Sequence, residues 1–328
     1  MIKAAIVGLG RWGQRLLDSV SVPPSGKLHF VRGVARTPEK LPRSIAAGGL
    51  ALVRDYAAVL ADAHVQAVVL ATPHTQHAEQ VIAAAHAGKH VFVEKPFTLD
   101  AASARAAAAA CRQAGVVLAF GHNRRFLPAL QEIARRVRSG ALGEILHLEG
   151  NFSGNFGLGY QPDMWRATAA ESPAGGMTAM GIHILDAFIH LAGPVDWVRC
   201  ESHRQAVAVE MDDTTSLLLR FRSGATGYVG TMIATGRIVR VQVFGTKGWL
   251  HLLDHHLLET CDVNGKVERI EFPKLDIERA ELEAFADAAE GSGVYPVTAE
   301  EAVHGVEVME AAILSAARDG EKVRAGTA

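Results

Sequence analysis

Three cysteines, no excess of either charge and no long apolar run set the first limits on this 328-residue chain. Cys111, Cys200 and Cys261 are odd in number and far apart. That leaves neither a disulfide framework nor a metal-ligand spacing, so no metal site is expected and a reducing compartment suits the chain. The 33 Lys and Arg against 35 Asp and Glu give a net charge of -2, which removes the electrostatic case for nucleic acid or for an anionic membrane surface. No apolar stretch reaches the ~18 residues that span a bilayer. The chain runs from Met1 straight into a patterned strand with no room for a signal peptide, so a cytoplasmic location is expected. What is present is ordinary for a globular protein, 49% hydrophobic and 21% charged, in a length that suits roughly two domains.

The first pattern is a strand, Lys3 to Val7, running into Gly8-Leu9-Gly10-Arg11-Trp12-Gly13 and then an amphipathic segment, Gln14 to Val20. This is G-x-G-x-x-G in its strand-turn-helix setting: Gly8 makes the turn, Gly10 lets backbone approach a pyrophosphate and Gly13 allows close helix packing. The helix N-terminus offers amides to the phosphates. A dinucleotide site over residues 8–13 follows, with Trp12 either lining it or packing at the helix start. About 20 residues on, an NAD site carries Asp or Glu for the ribose. Here the second strand, Phe30 to Ala35, ends in Ala35-Arg36-Thr37 and the acid is missing. Arg36 offers a fork of donors for a 2′-phosphate, with Thr37 a hydroxyl partner. NADP is expected, and NAD is the lesser candidate; a solvated turn residue is the plainer account of Arg36.

Strand and helix then alternate. Val65 to Ala71 is a continuous apolar run of the buried parallel kind, followed by Thr72-Pro73-His74-Thr75-Gln76-His77 and a helix, Ala78 to Ala87. His90 to Val93 is another such strand, and it ends in Glu94-Lys95-Pro96. An Ala-rich helix, Ala101 to Ala114, leads to a strand at Val116 to Phe120. Ions at the carboxyl end of an apolar strand are costly unless that edge faces a ligand, which in an open α/β sheet it does. Gly8, Thr72 and Lys95 therefore belong to one crevice, with Ala71, Thr72, Pro73, His77 and Glu94 as further cofactor-side candidates.

These motifs, with GHNRRF at Gly121 to Phe126 and GGMTAMGIHILD at Gly175 to Asp186, resemble in order and spacing the Gfo/Idh/MocA oxidoreductases over essentially the whole chain. The resemblance implies a Rossmann domain (residues 1–121, a doubly wound parallel sheet) followed by an α/β domain (122–328) with a large open, mostly antiparallel sheet that binds substrate and forms an oligomer interface. It also implies a cis Lys95-Pro96 bond and Lys95 between nicotinamide and substrate. A Lys pressed against a cationic nicotinamide loses charge stabilisation and can share a proton with a reacting hydroxyl.

The second half reads as strands at Ile145 to Phe152, Thr214 to Phe221, Ala225 to Met232 and Arg237 to Phe244, with a helix, Ala179 to His190, carrying His183 and Asp186. On residues alone His183 is a satisfied core histidine; by resemblance it is the catalytic His. The family's Asp one turn earlier is Ala179 here, which weakens His183 as a base unless Asp186 substitutes. Asn123, Arg124, Trp165 and Arg166, at family-matched loop positions, are substrate-gripping or structural, and Asp186 joins them as a substrate-side candidate. An uncovered sheet face with Val229, Val241 and Val243 predicts a homodimer or homotetramer. A closing capping box, Thr298 to Glu301, opens a packing helix. Two functions follow: an NADP(H)-dependent oxidoreductase acting on a sugar, polyol or related hydroxy or keto compound, with Lys95 and His183 catalytic, or a dinucleotide-binding protein without net redox turnover.

Overall fold

Ile2–Val7 (β1) is buried at every position except Lys3, as a strand covered on both faces must be. It is the middle of a six-stranded parallel sheet with β2 (Leu28–Val34), β3 (Ala51–Val53), β4 (Ala67–Leu70), β5 (His90–Val93) and β6 (Leu118–Phe120), in the order β3-β2-β1-β4-β5-β6. Val7 stands level with Val34 on one side and Leu70 on the other, so the strand order reverses at β1 and opens a crevice at the carboxyl ends there. This computed structural model describes residues 1–42, 45 and 49–326. The helices that follow the strands are α1 (Arg11–Ser21), α2 (Tyr56–Ala61), α3 (His77–His86) and α4 (Ala101–Ala114).

The chain divides into two compact units. The first holds Met1–Thr98, Ala102–Asn123 and Asp276–Ala299; the second holds Leu99–Ala101, Arg124–Leu275 and the chain from Glu300. The segment 276–299 returns to the first unit, where its helix Ile277–Ala289 packs on α1 and sets Phe285 against Phe92 with ring centroids 5.9 Å apart.

In the second unit, α5 (Pro128–Arg138) and α6 (Ile182–Ala192) cover one face of a nine-stranded sheet. Its strands are β7 (Ile145–Ser153), β8 (Val195–His203), β9 (Thr214–Phe221), β10 (Thr226–Met232), β11 (Ile238–Gly245), β12 (Gly248–Leu253), β13 (Leu257–Asp262), β14 (Val267–Glu271) and β15 (Val323–Arg324), in the order β14-β13-β12-β11-β7-β10-β9-β8-β15. All pairs are antiparallel except β10 with β7. The helix α6 lies so close to β7 that a Cβ on Gly150 would stand 2.2 Å from Ile184 Cγ2. Val229, Val241 and Val243 belong to this covered face and are buried, which corrects their placing on the open one. Strand residues alternate between faces, and the open face carries His147, Glu149, Arg240 and His251, with Leu218 and Ile238 as exposed apolar side chains. Among the described residues no helix is long and apolar enough to cross a membrane.

Candidate active site

The turn after β1 is built by its glycines. Gly8 has φ +93°, which glycine adopts without a Cβ clash, and a Cβ there would meet Ala71 O at 2.6 Å. A Cβ on Gly13 would stand 2.0 Å from Gly8 O, so α1 is drawn tight against the turn. Gly10 differs: nothing lies within 4 Å of where its Cβ would be. Packing does not require glycine at that position, and its bare backbone is open to a ligand. Gly10 also caps α1 without a side-chain hydrogen bond, which leaves first-turn amides and the positive helix end for an anion. A dinucleotide pyrophosphate fits these residues. Leu9 instead turns into the core, and its carbonyl accepts Gln14 Nε2 at 2.9 Å. Arg11 is exposed; Trp12 is half-buried, its Nε1 enclosed without a hydrogen-bond partner among the described residues.

Past β2, Ala35 N bonds Val53 O at 3.1 Å, and Arg36 and Thr37 are exposed. Arg54, one residue beyond β3, donates to Arg36 O at 3.1 Å and pairs with Glu39 at 2.9 Å. This end of the sheet thus carries two arginines, and the second was outside the sequence reading.

The ends of β4 and β5 are tied together by His77. Its ring is fully buried, with Nδ1 2.9 Å from Pro96 O and Nε2 3.2 Å from Thr72 O. The ring thereby staples two loops at the end of the sheet. Thr72 donates to Gln80 at 2.6 Å; Ala71 and Pro73 are half-buried beside it. The Lys95-Pro96 bond is cis. Glu94 is buried and its Oε2 accepts the Lys95 backbone N–H at 3.2 Å, while Lys95 itself is half-exposed at the carboxyl end of β5. Gly8, Thr72 and Lys95 consequently share one edge of the parallel sheet.

Asn123 belongs to this same unit, where its buried amide donates to Glu278 Oε1 at 2.9 Å, and Glu278 also pairs with Arg15 at 2.8 Å. That bond ties the returning segment to the end of β6.

In the second unit, a π-helical turn, Met177–Gly181, precedes α6 and contains the half-exposed Ala179. The buried His183 ring follows, 6.0 Å from the Phe152 ring at the end of β7. Asp186 stands one turn beyond His183 on the same helix. Arg125 takes it by two bonds, 2.7 and 2.9 Å, and reaches Glu301 at 3.3 Å. Both members of the Arg125–Asp186 pair are buried. Glu301 Oε1 also lies 3.3 Å from His190 Nδ1. Arg124 stacks over Phe152 at 5.1 Å. His255, from the turn between β12 and β13, meets the same ring edge-on at 6.4 Å. Burial, reinforced by the charge of Arg124, pushes the His255 imidazole down to about 4. Trp165 and Arg166 are half-exposed and stacked on one another at 4.2 Å. Arg125 lies inside the Gly121–Phe126 motif, but its partner is 61 residues away, and His255 sits on a turn that carries no motif.

The chain matches two models of one family: the oxidoreductase family with NAD-binding Rossmann fold over residues 2–122 and the GFO/IDH/MocA C-terminal domain over 130–251. It is 33% identical over 221 residues to D-apiose dehydrogenase of Paraburkholderia graminis, a match covering 65% of this chain and 58% of that one. It is 28% identical to the rhizopine catabolism protein MocA of Rhizobium meliloti, over 98% of this chain and 96% of that one. A crystal structure from Desulfitobacterium hafniense, provisionally described as an NADPH-dependent oxidoreductase, superposes with a TM-score of 0.91 at 28% identity, covering 98% and 97% of the two chains.

Proposed function

The chain belongs to the Gfo/Idh/MocA oxidoreductase family, and on that footing we propose that it is an NADP(H)-dependent oxidoreductase of a sugar, polyol or related hydroxy or keto compound. One observation carries the reading: the ends of β1, β4 and β5 bring an open Gly10 turn, Thr72 and Lys95 to one edge of the sheet. Bound NADP(H) supplies or accepts the hydride. The amides of α1 hold its pyrophosphate, and Arg36 with Arg54 offers two forks to a 2′-phosphate, which a ribose-binding acid would repel. Lys95 takes or returns the proton of the reacting hydroxyl, and Glu94, bound to the Lys95 amide, fixes the turn that carries it. His183 assists on the substrate side. The names of the relatives, D-apiose dehydrogenase among them, support a sugar-like substrate. The exposed Leu218 and Ile238 on the open face of the nine-stranded sheet support a homodimer or homotetramer.

Two measurements test this. NADPH should bind at least tenfold tighter than NADH, about 1.4 kcal/mol, and Arg36→Ala should erase most of the difference. A panel of sugars and keto compounds should then give turnover at the nicotinamide absorbance band. Tight NADPH binding with no turnover on any member would favour the non-redox reading, which Ala179 keeps in play.

A further inference from the structure

The turn after β2 is clasped from the neighbouring strand. Val34 stands level with Val53, and Ala35 N bonds Val53 O at 3.1 Å, so the parallel pairing sets Arg54 beside Ala35 and Arg36. Arg54 uses its two terminal nitrogens differently. Nη1 donates to the Arg36 carbonyl at 3.1 Å, which fixes the path of the backbone there, and Nη2 donates to Glu39 Oε2 at 2.9 Å. Glu39 lies in a single 3₁₀ turn, Pro38–Lys40, three residues beyond Arg36. Asp55, the acid next to Arg54 in sequence, instead caps α2 by accepting Ala57 N at 2.9 Å.

Arg36, Thr37, Glu39 and Arg54 are all exposed. With side chains 65% and 57% exposed, the Arg54–Glu39 pair contributes little to stability, because water hydrates the two ions nearly as well apart. Its effect falls on binding instead. It sets a carboxylate on one of the two guanidinium forks at the turn where the ribose acid is missing.

We propose that Glu39 is a specificity-determining residue for the cofactor: it occupies Arg54 in place of a phosphate, and NADP(H) binds by taking Arg54 from it. The inference rests on the NADP reading for the place of the 2′-phosphate. A guanidinium fork matches the oxygens of a carboxylate and of a phosphate alike. A phosphate monoester carries close to two negative charges near neutral pH against one for Glu39, so it wins the exchange, and the exposed carboxylate returns to water. Nη1 stays on the Arg36 carbonyl, so only Nη2 changes partner and the turn keeps its place. NADH carries no group that competes for Arg54. Glu39 therefore lowers the NADP preference that two unoccupied arginines would give.

The test is calorimetry on the full chain with adenosine 2′,5′-bisphosphate and 5′-AMP, probes that differ only in the 2′-phosphate, and with NADPH and NADH. Glu39→Gln keeps an acceptor for Arg54 and removes the charge. It should tighten the bisphosphate about two- to fivefold, the range an exposed pair spans, and leave 5′-AMP within about 1.5-fold. Arg54→Gln should weaken the bisphosphate by about threefold or more, and adding Glu39→Gln to it should bring no further gain. Arg54→Lys keeps the charge, so Glu39→Gln should again tighten the bisphosphate in that background, which guards against a turn loosened by loss of the Arg36 clasp. A Glu39→Gln protein that binds the bisphosphate as wild type does, or that gains as much with Arg54→Gln as without it, overturns the proposal. Wild type preferring NADPH about tenfold, with Glu39→Gln indistinguishable from it, would leave the NADP reading standing alone. Equal binding of NADPH and NADH by wild type, with a preference for NADPH appearing in Glu39→Gln, would sink that reading and keep this one.

Discussion

A Cβ added to Gly121 would stand 2.8 Å from the carboxyl carbon of Glu94 and 2.9 Å from each of its oxygens. The absence of a side chain after β6 is thus what makes room for the carboxylate that accepts the Lys95 amide. Gly121→Ala should push Glu94 off that amide at a cost of about 1–3 kcal/mol, the usual range for overpacking, and lower turnover about tenfold through the displaced Lys95. Adding Glu94→Ala to it should recover the melting temperature and leave turnover low. A Gly121→Ala protein with unchanged melting and turnover would show that Glu94 moves aside freely.

The Arg125–Asp186 pair anchors the helix that bears His183. Asp186→Ala leaves the buried Arg125 guanidinium with Glu301 alone, 3.3 Å away, and should cost about 3–5 kcal/mol, whereas Arg125→Met with Asp186→Leu should regain most of that loss. Urea midpoints of the wild type and of the two variants check this. A double variant no more stable than Asp186→Ala would mean that the pair acts through shape rather than charge.

His255 gives the stability a pH slope. Its folded pKa of about 4 lies below the ordinary 6.5, so between those values the unfolded chain binds a proton that the folded one refuses. Stability should therefore fall as pH drops through that window and be unaffected by this group above it. The ring resonance of His255 should titrate near 4 by NMR, and His255→Gln should flatten part of the acid slope. Titration near 6.5 would place the ring in water.

The proton chemistry is assigned chiefly to Lys95. Lys95→Ala should lower turnover by about 10³ or more while NADP still binds, and His183→Ala by about 10 to 10². Ala179→Asp should hold or raise activity on a neutral polyol and shift its pH profile. Comparable losses for the two alanine variants would put the proton on the wrong residue.

Burial raises the Cys111 thiol to about 11 and the Cys200 thiol to about 12, whereas Cys261 is half-exposed. One thiol of the three should react quickly with a disulfide reagent at pH 8 in the native protein, and all three only after unfolding. Cys261→Ser should remove the fast phase.

The sequence showed most clearly what is local. The Gly8–Gly13 turn, the parallel strands and the β9 limits are written in short-range pattern, and the structure has them. The valines of β10 and β11 went to the wrong face because alternation tells which residues share a face, not which face a helix later covers. Asn123, His77 and Asp186 are polar residues inside or beside motifs, and a motif does not show that Asn123 bonds Glu278, His77 two backbone carbonyls and Asp186 Arg125. β14 and His255 carry no composition signal that separates them from surface turns. The return of 276–299 depends on contacts about 150 residues apart or more, such as Asn123 with Glu278, which no window can register.

That return has a consequence for how the protein comes to exist. The terminal amine of Met1 pairs with Glu290, Lys27 with Asp287 at 2.7 Å, and Phe92 packs on Phe285. A ribosome that has released residues 1–123 has therefore delivered every strand of the parallel sheet without the helix that covers Phe92. The first unit must wait, incomplete, while more than 150 further residues are synthesised. During that wait an apolar surface is exposed on the nascent chain, a site where chaperones bind and proteases cut.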